Sequence, residues 1–209
     1  MLHKNTIQPG TLELLKILQS DEVLKSFYLA GGTSLALQIG HRQSVDLDFF
    51  TTDDFDVNFL LEFLESNYNF HSDFTANNTL KGFIDSIKVD FISHKYPLVK
   101  NIRSLENIKL YSIEDIAAMK LNAIAGNGTR SKDFIDLYFI LNEYSVSQLI
   151  DFYSTKYKTR NTFHVVKSMV YFDDVSTEDW PLMILEKNLN LEKIKRTIET
   201  KVNETNLEL

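Results

Sequence analysis

The stretch Ala30 to Phe50, AGGTSLALQIGHRQSVDLDFF, decides how this chain is read. Gly31-Gly32-Thr33-Ser34 is a turn leading into a short apolar helix, Gly40-His41-Arg42 ends that helix, and Val45 to Phe50 reads as a strand with alternating carboxylates. Successive strand side chains point to opposite faces, so Val45, Leu47 and Phe49 share one side while Asp46 and Asp48 share the other. The Cα atoms of the acid pair then stand roughly 6.5 Å apart, close enough for both carboxylates to converge on one or two divalent cations. Acids at i and i+2 also occur on solvated edge strands. Asp is poorly represented within strands, however, and two on one face repel unless a cation or donor neutralises them. Ahead of the pair, two glycines allow close backbone approach, and the N–H groups opening the helix form a seat for phosphate.

These residues resemble a known family. The run is similar to the first two motifs of the DNA polymerase β-like nucleotidyltransferases, a glycine pair with a hydroxyl residue followed by an Asp-x-Asp strand. More closely, it resembles the AbiEii/AbiGii-type toxins of bacterial toxin–antitoxin and phage-abortive systems. Their Gly-Gly-Thr-x-Leu, then Arg-x-Ser/Thr-x-Asp-hydrophobic-Asp, is matched by Gly31, Gly32, Thr33, Leu35, Arg42, Ser44, Asp46 and Asp48.

Composition sets the outer bounds. With 209 residues and 44% hydrophobic content, the chain can bury a full core, as one domain or as a domain with a helical extension. There is no cysteine, which removes disulfides and thiolate metal sites and fits a reducing cytoplasm. MLHKNTIQPG lacks the apolar segment of a signal peptide and no run approaches a membrane span, so a soluble intracellular protein without a membrane partner is expected. The net charge of −7 argues against a general nucleic-acid binder, because non-specific affinity comes largely from neutralised phosphates. Any RNA contact must be local.

Working outward, Thr11 is expected to cap a first helix with Leu14, Leu15 and Leu18 on its buried stripe, and Phe27 to Leu29 is a short strand feeding the glycine turn. Downstream, Asp53, Asp54 and Asp56 invite a catalytic reading, but capping is the plainer role, with Asp56 before a helix bearing Phe59, Leu60, Phe63 and Leu64. Phe70 to Ala76, Thr79 to Ile84 and Ile87 to Ser93 read as an antiparallel meander, punctuated by Asn77-Asn78 and Asp85-Ser86. In the last of these strands Ile87, Val89 and Phe91 face one way, Lys88, Asp90 and Ile92 the other. Asp90 lies beside Asp46 and Asp48 if the two strands pair in the right register; otherwise it is an acid on a solvent face.

Leu110 to Tyr144 is the second informative block. Ser112 with Asp115 makes a capping-box-like start, and Gly126-Asn127-Gly128 stops the helix. Lys120 stands amid alanine and apolar residues, where an ammonium must snorkel, pair or bind an anion. A further helix begins near Ser131, with Asp133 and Asp136 neighbours on its surface. Here too the chain resembles the AbiEii-type toxins, whose Ile-Glu-Asp-hydrophobic-x-x-x-Lys and Arg-x-x-Lys-Asp-x-x-Asp-Leu motifs are echoed by Ile113, Glu114, Asp115, Lys120, Arg130, Lys132, Asp133, Asp136 and Leu137. The resemblance implies that Lys120 contacts nucleotide phosphates and that Asp136 supports the active site, leaving Asp133 to pair with Arg130 or Lys132. Val170 to Asp174 resembles a further segment of the family. The remainder is helical by period: Ser147 to Tyr157, Thr162 to Tyr171 and Leu191 to Val202. Lys156, Lys158, Arg160, His164 and Lys167, interleaved with Tyr157 and Phe163, are either an RNA grip or a solvated helix end.

The expected architecture is an α/β (α+β) protein, with a small mixed sheet in residues 1–110 and a helical region, 111–209, packed on it and completing an active-site cleft. The expected reaction is transfer of a nucleotide from an NTP. Mg2+ or Mn2+ would be held by Asp46, Asp48 and Asp90, and the triphosphate by Gly31, Gly32, Thr33, Ser34, Arg42, Ser44 and Lys120. By resemblance, the acceptor is the 3′ end of tRNA and the role that of a toxin neutralised by a cognate antitoxin. A nucleotide- or protein-binding module without catalysis, and a transferase acting on a small molecule or a protein side chain, stand as alternatives.

Overall fold

In the computed structural model, which describes residues 1–205, the chain divides into two compact units. The first comprises Met1–Tyr96 with Ile102–Tyr111, and the second Pro97–Asn101 with the chain from Ser112 onward. In chain order the first unit contains α1 (Pro9–Ser20), β1 (Tyr28–Leu29), α2 (Gly31–Ile39), β2 (Leu47–Thr51), α3 (Val57–Tyr68), β3 (Phe70–Ala76), β4 (Thr79–Ile84), β5 (Ile87–Ser93), β6 (Arg103–Leu105) and β7 (Ile108–Leu110).

The strands form one mixed sheet in the order β3-β4-β5-β2-β1-β7-β6. The acid-bearing strand β2 is its middle member, parallel to β5 and antiparallel to β1; β1 and β7 are also parallel, and the remaining pairs are antiparallel. The meander β3-β4-β5 has the boundaries its sequence pattern predicts. Its turns use Asn78 at φ 55°, and Asp85 and Ser86 at 47° and 68°. Two consecutive left-handed residues give the reversal whose twist matches the flanking strands. The short β6–β7 hairpin has no counterpart in the sequence pattern. Three-residue strands are too brief to show alternation, and the hairpin turn uses Glu106 and Asn107 at positive φ rather than glycine.

Alternation sorts the sheet into two faces. Leu47, Phe49, Val89, Phe91, Leu80 and Ile84 point inward with Leu15 and Leu18 of α1 and Leu60 and Leu64 of α3. Phe91 stacks on Phe49 at 5.3 Å and meets Phe27 edge-on at 5.2 Å. Burying each such ring stabilises the fold by about 1.5–3 kcal/mol, before the entropy of ordering it. Gly82 permits this packing, since a Cβ there would lie 2.2 Å from the His71 carbonyl and 2.5 Å from the Phe70 ring. Three local expectations are corrected. Thr11 is a buried residue inside α1, which starts at Pro9, where the missing N–H costs nothing. Val45 lies ahead of β2 and is exposed. Phe59 is exposed as well, although Asp56 does cap α3 by accepting from the Asn58 and Phe59 amides.

The second unit contains α4 (Ile113–Gly126), α5 (Ser131–Ile140), α6 (Val146–Tyr157), α7 (Phe163–Met169) and α8 (Leu191–Asn203). The alanine-rich α4 packs against α5, α6 and α7. Small side chains at Ala117 and Ala118, both fully buried, let neighbouring helices approach. Helix α5 is buried over almost its whole circumference, so Asp133 and Asp136 lie in the interior and not on a surface. Caps define the helix starts: Ser112 accepts from the Asp115 amide, Ser145 and Gln148 close a reciprocal capping box, and Asn190 accepts from the Lys193 amide.

Candidate active site

Sequence makes the first feature of the site through glycine. Gly31 is the first residue of α2 and has φ 64°, a left-handed conformation costly for any residue with a Cβ. An added Cβ would stand 2.2 Å from Asp48 Oδ2, so the absence of a side chain lets the carboxylate lie directly against the start of the helix. A helix N-terminus carries partial positive charge and favours a carboxylate or phosphate. Gly32 plays the same part for Arg42, whose Nη2 would be 2.4 Å from an added Cβ. Helix and strand are also tied through the backbone, since the Ala30 amide donates to the Asp48 carbonyl at 2.8 Å.

The second feature is the register of β2 and β5. Asp48 and Asp90 are direct partners across this parallel pair, so their side chains share the outer face of the sheet, about 4.8 Å apart at the backbone. Asp46 immediately precedes β2 and is half-buried, as is Asp48. Asp90 is 4% exposed. Its Oδ2 lies 3.2 Å from Lys81 Nζ and 4.0 Å from Lys88 Nζ, while its buried Oδ1 has no hydrogen-bond partner among the described residues. Leaving a buried carboxylate oxygen unsatisfied costs more than the roughly 1–3 kcal/mol of a neutral group. Such an oxygen, beside a second carboxylate, fits a hard divalent cation such as Mg2+ or Mn2+. Among the described residues, no three His, Cys, Asp or Glu side chains are gathered closely enough to make a ready metal cage.

Of the remaining predicted phosphate ligands of this unit, Thr33, Arg42 and Ser44 serve the loop between α2 and β2, and Ser34 bonds within α2. Thr33 is buried, and its hydroxyl reaches Ser44 Oγ at 2.7 Å and the carbonyl of Asp46. Ser34 is buried too, and its Oγ accepts from Gln38 Nε2 at 3.3 Å. Arg42 is buried against Gly32 and donates from Nη1 to the Gln43 carbonyl at 3.0 Å. The Ser44 amide donates to the Thr6 carbonyl at 2.9 Å. Thr33, Arg42 and Ser44 fix the backbone from which Asp46 and Asp48 project. His41 beside them is fully buried.

Lys120 and Asp136 belong to the second unit. Lys120, 7% exposed, places its ammonium 2.6 Å from Asp133 Oδ1 and 2.7 Å from Asp136 Oδ2, which joins α4 to α5. Asp133 thus pairs first with Lys120; Arg130 is 3.9 Å away, and Lys132 turns instead to Asp179 at 3.3 Å. The basic cluster also loses a member. Lys156 is fully buried and pairs with Asp115 at 2.8 Å, while Asp115 accepts from the Val99 and Lys100 amides at 3.0 Å each. Sequence separation of 41 residues concealed that pair. Lys158, Arg160, His164 and Lys167 remain exposed, with Lys167 over the Phe163 ring at 4.4 Å.

The outer face of this sheet, with carboxylates on adjacent parallel strands beside the glycine-started helix, defines the class: a nucleotidyltransferase fold. A candidate nucleotidyltransferase from H. pylori shares the fold with a TM-score of 0.56 and 20% identity, over 94% of this chain and 95% of that one. ANT(2'')-Ia, an antibiotic-resistance factor, shares it with a TM-score of 0.54 and 12% identity, over 70% and 91%. The chain matches the nucleotidyl transferase AbiEii toxin family, type IV toxin–antitoxin system, over residues 13–205, and it belongs to that family. An uncharacterized protein of Aquifex aeolicus, aq_aa25, is 34% identical over 172 residues, which is 79% of this chain and 83% of that protein.

Proposed function

We propose that this nucleotidyltransferase moves a nucleoside monophosphate from an NTP to the 3′ hydroxyl of an RNA, with tRNA as the acceptor class, and that it acts as the toxin of a toxin–antitoxin pair. The observation that carries the reading is the β2–β5 register, which sets Asp48 opposite Asp90, whose buried Oδ1 has no hydrogen-bond partner among the described residues, beside the N-terminus of α2. Asp46, Asp48 and Asp90 would hold Mg2+ or Mn2+, which when bound supplies charge neutralisation at the phosphates and a lowered pKa for the attacking hydroxyl. The start of α2, at Gly31 and Gly32, offers its backbone amides to the triphosphate. Thr33, Ser44 and Arg42 act through the loop they brace, which holds the Asp46–Asp48 segment, while Ser34 bonds within α2.

In the reaction the acceptor oxygen bonds to the α-phosphorus and the bond from that phosphorus to the β-phosphate bridging oxygen breaks. Pyrophosphate leaves with the electron pair, and the hydroxyl proton passes to Asp90, the most buried of the three carboxylates. Lys120, with its charge balanced by Asp133 and Asp136, is assigned to the interior of the helical unit, and a phosphate contact from it is an outcome to be tested. The family supports the antitoxin partner.

Incubating the protein with each α-labelled NTP, Mg2+ and total tRNA tests the reading. The expected result is label on RNA with release of pyrophosphate. Label confined to a small molecule or to protein would move the reading to the other transferase classes. Nucleotide binding with no pyrophosphate release would reduce the protein to a binding module.

A further inference from the structure

The register that pairs Asp48 with Asp90 continues outward. Asp90 is the partner of Lys81 on β4, and Lys81 the partner of Phe74 on β3, so one row on the outer face reads Asp48, Asp90, Lys81, Phe74. The adjoining row reads Lys88, Phe83, His71. Phe74 is 51% and Phe83 39% exposed, and neither is placed by the hydrophobic core. On adjacent strands of one face, two aromatic rings left in solvent on the ladder diagonal call for an explanation. Beyond Asp90, the outward ladder positions are Thr79, Lys81 and Phe83 on β4, then His71, Phe74 and Ala76 on β3, with the exposed Asp73 in the bulge beside Phe74. The two cations of this face thus stand between the carboxylate pair and the rings, in a chain whose net charge is −7.

We propose that this face is the acceptor platform: a single-stranded nucleic acid with a free 3′ hydroxyl lies across β5, β4 and β3, its backbone along Lys81 and Lys88 and its bases stacked on Phe83 and Phe74. The proposal rests on the transferase reading and adds to it where the polymer runs. Three strand spacings separate Asp48 from Phe74, about 14 Å in all. That is the length of about four stacked nucleotides at about 3.4 Å each. Cations that track a backbone, interleaved with aromatic faces that accept any base, are the pattern of sequence-tolerant single-strand binding. The row ends at Asp90 and then Asp48, so a 3′ end laid along it arrives at the carboxylates. The β3 bulge between Ser72 and Phe74 turns Phe74 onto the same face as Lys81, which a regular ladder from Phe70 would put on that side only at odd positions.

The test is fluorescence anisotropy at low salt with a 5′-labelled, unstructured RNA octanucleotide bearing a free 3′ hydroxyl, and with the DNA of the same sequence. Phe74→Ala/Phe83→Ala should weaken RNA binding at least tenfold while NTP affinity and melting temperature hold. Phe83→Trp should retain binding. Lys88→Ala should make the slope of log affinity against log salt shallower by about 0.7, the value of one neutralised phosphate on a single strand. A preference for the RNA arm assigns the ligand to RNA; equal binding in both arms assigns it to single strands generally. Unchanged RNA affinity in the double variant overturns the proposal, including where that variant has ceased to bind a protein partner instead, as does a wild type that does not bind the octanucleotide. Transfer to the same octanucleotide is read separately. A wild type that binds it through these rings yet labels neither it nor total tRNA refutes the transferase reading and leaves the platform standing.

Discussion

Gly31 shows how a single residue can set a backbone and seat a neighbouring side chain together. Its left-handed φ starts α2, and its missing Cβ admits the Asp48 carboxylate. Gly31→Ala is therefore expected to cost at least about 1–2 kcal/mol in stability from backbone conformation alone and to abolish transfer by displacing Asp48. Gly10→Ala, where nothing lies within 4 Å of an added Cβ, should leave both intact. Asp48→Asn should melt at or slightly above the wild-type temperature in metal-free buffer, because it relieves repulsion with Asp90. Lys120→Met is a different case. It leaves Asp133 and Asp136 buried without their shared ammonium, and breaking a buried pair in this way costs about 3–5 kcal/mol. A large fall in melting temperature is expected. Normal melting with lost NTP affinity would instead give Lys120 the phosphate contact.

The elements show what the sequence made legible. The meander from Phe70 to Ser93 could be read to the residue because apolar alternation and Asn-Asn and Asp-Ser turns act over a few positions. The Asp46–Asp48 strand was legible for the same reason, although it starts one residue past Asp46. What could not be read is what depends on register or on distant partners: the opposition of Asp48 and Asp90, the inward turn of Asp133 and Asp136, and the burial of Lys156 on Asp115. Periodicity gives a face, not a neighbour. The Glu186 link between α5 and α8 is another such interaction. Lys193 donates to its carboxylate and holds it below its usual pKa, with burial opposing and the Tyr138 hydroxyl assisting. A carboxyl with a depressed folded pKa stabilises above its unfolded value, near 4.5, and loses that contribution as pH falls through the lower folded value. Glu186→Gln should thus lower the melting temperature by about 1–3 °C at pH 7 and by less at pH 3, as calorimetry across that range would report.

At the scale of the whole molecule, family membership and the outer face of the sheet point the same way. The chain carries the glycine-started helix and the acid strand that the AbiEii-type resemblance singles out, and no helix among the described residues is long and apolar enough to cross a membrane. On the proposed reading, a chain of net charge −7 must confine its RNA contacts to a small area, and such contacts should be strongly weakened by salt. The central claim is that Asp48 and Asp90, set opposite each other by the β2–β5 pairing, form one catalytic centre for nucleotidyl transfer. It is tested most directly by measuring pyrophosphate release from NTP, with Mg2+ and tRNA present, for wild type, Asp48→Asn and Asp90→Asn. The account predicts release by the wild type and a loss of at least about a hundredfold in each variant, the scale of removing one general base or charge-stabilising group. Folding and melting should be retained. Release at the wild-type rate by either folded variant would contradict it.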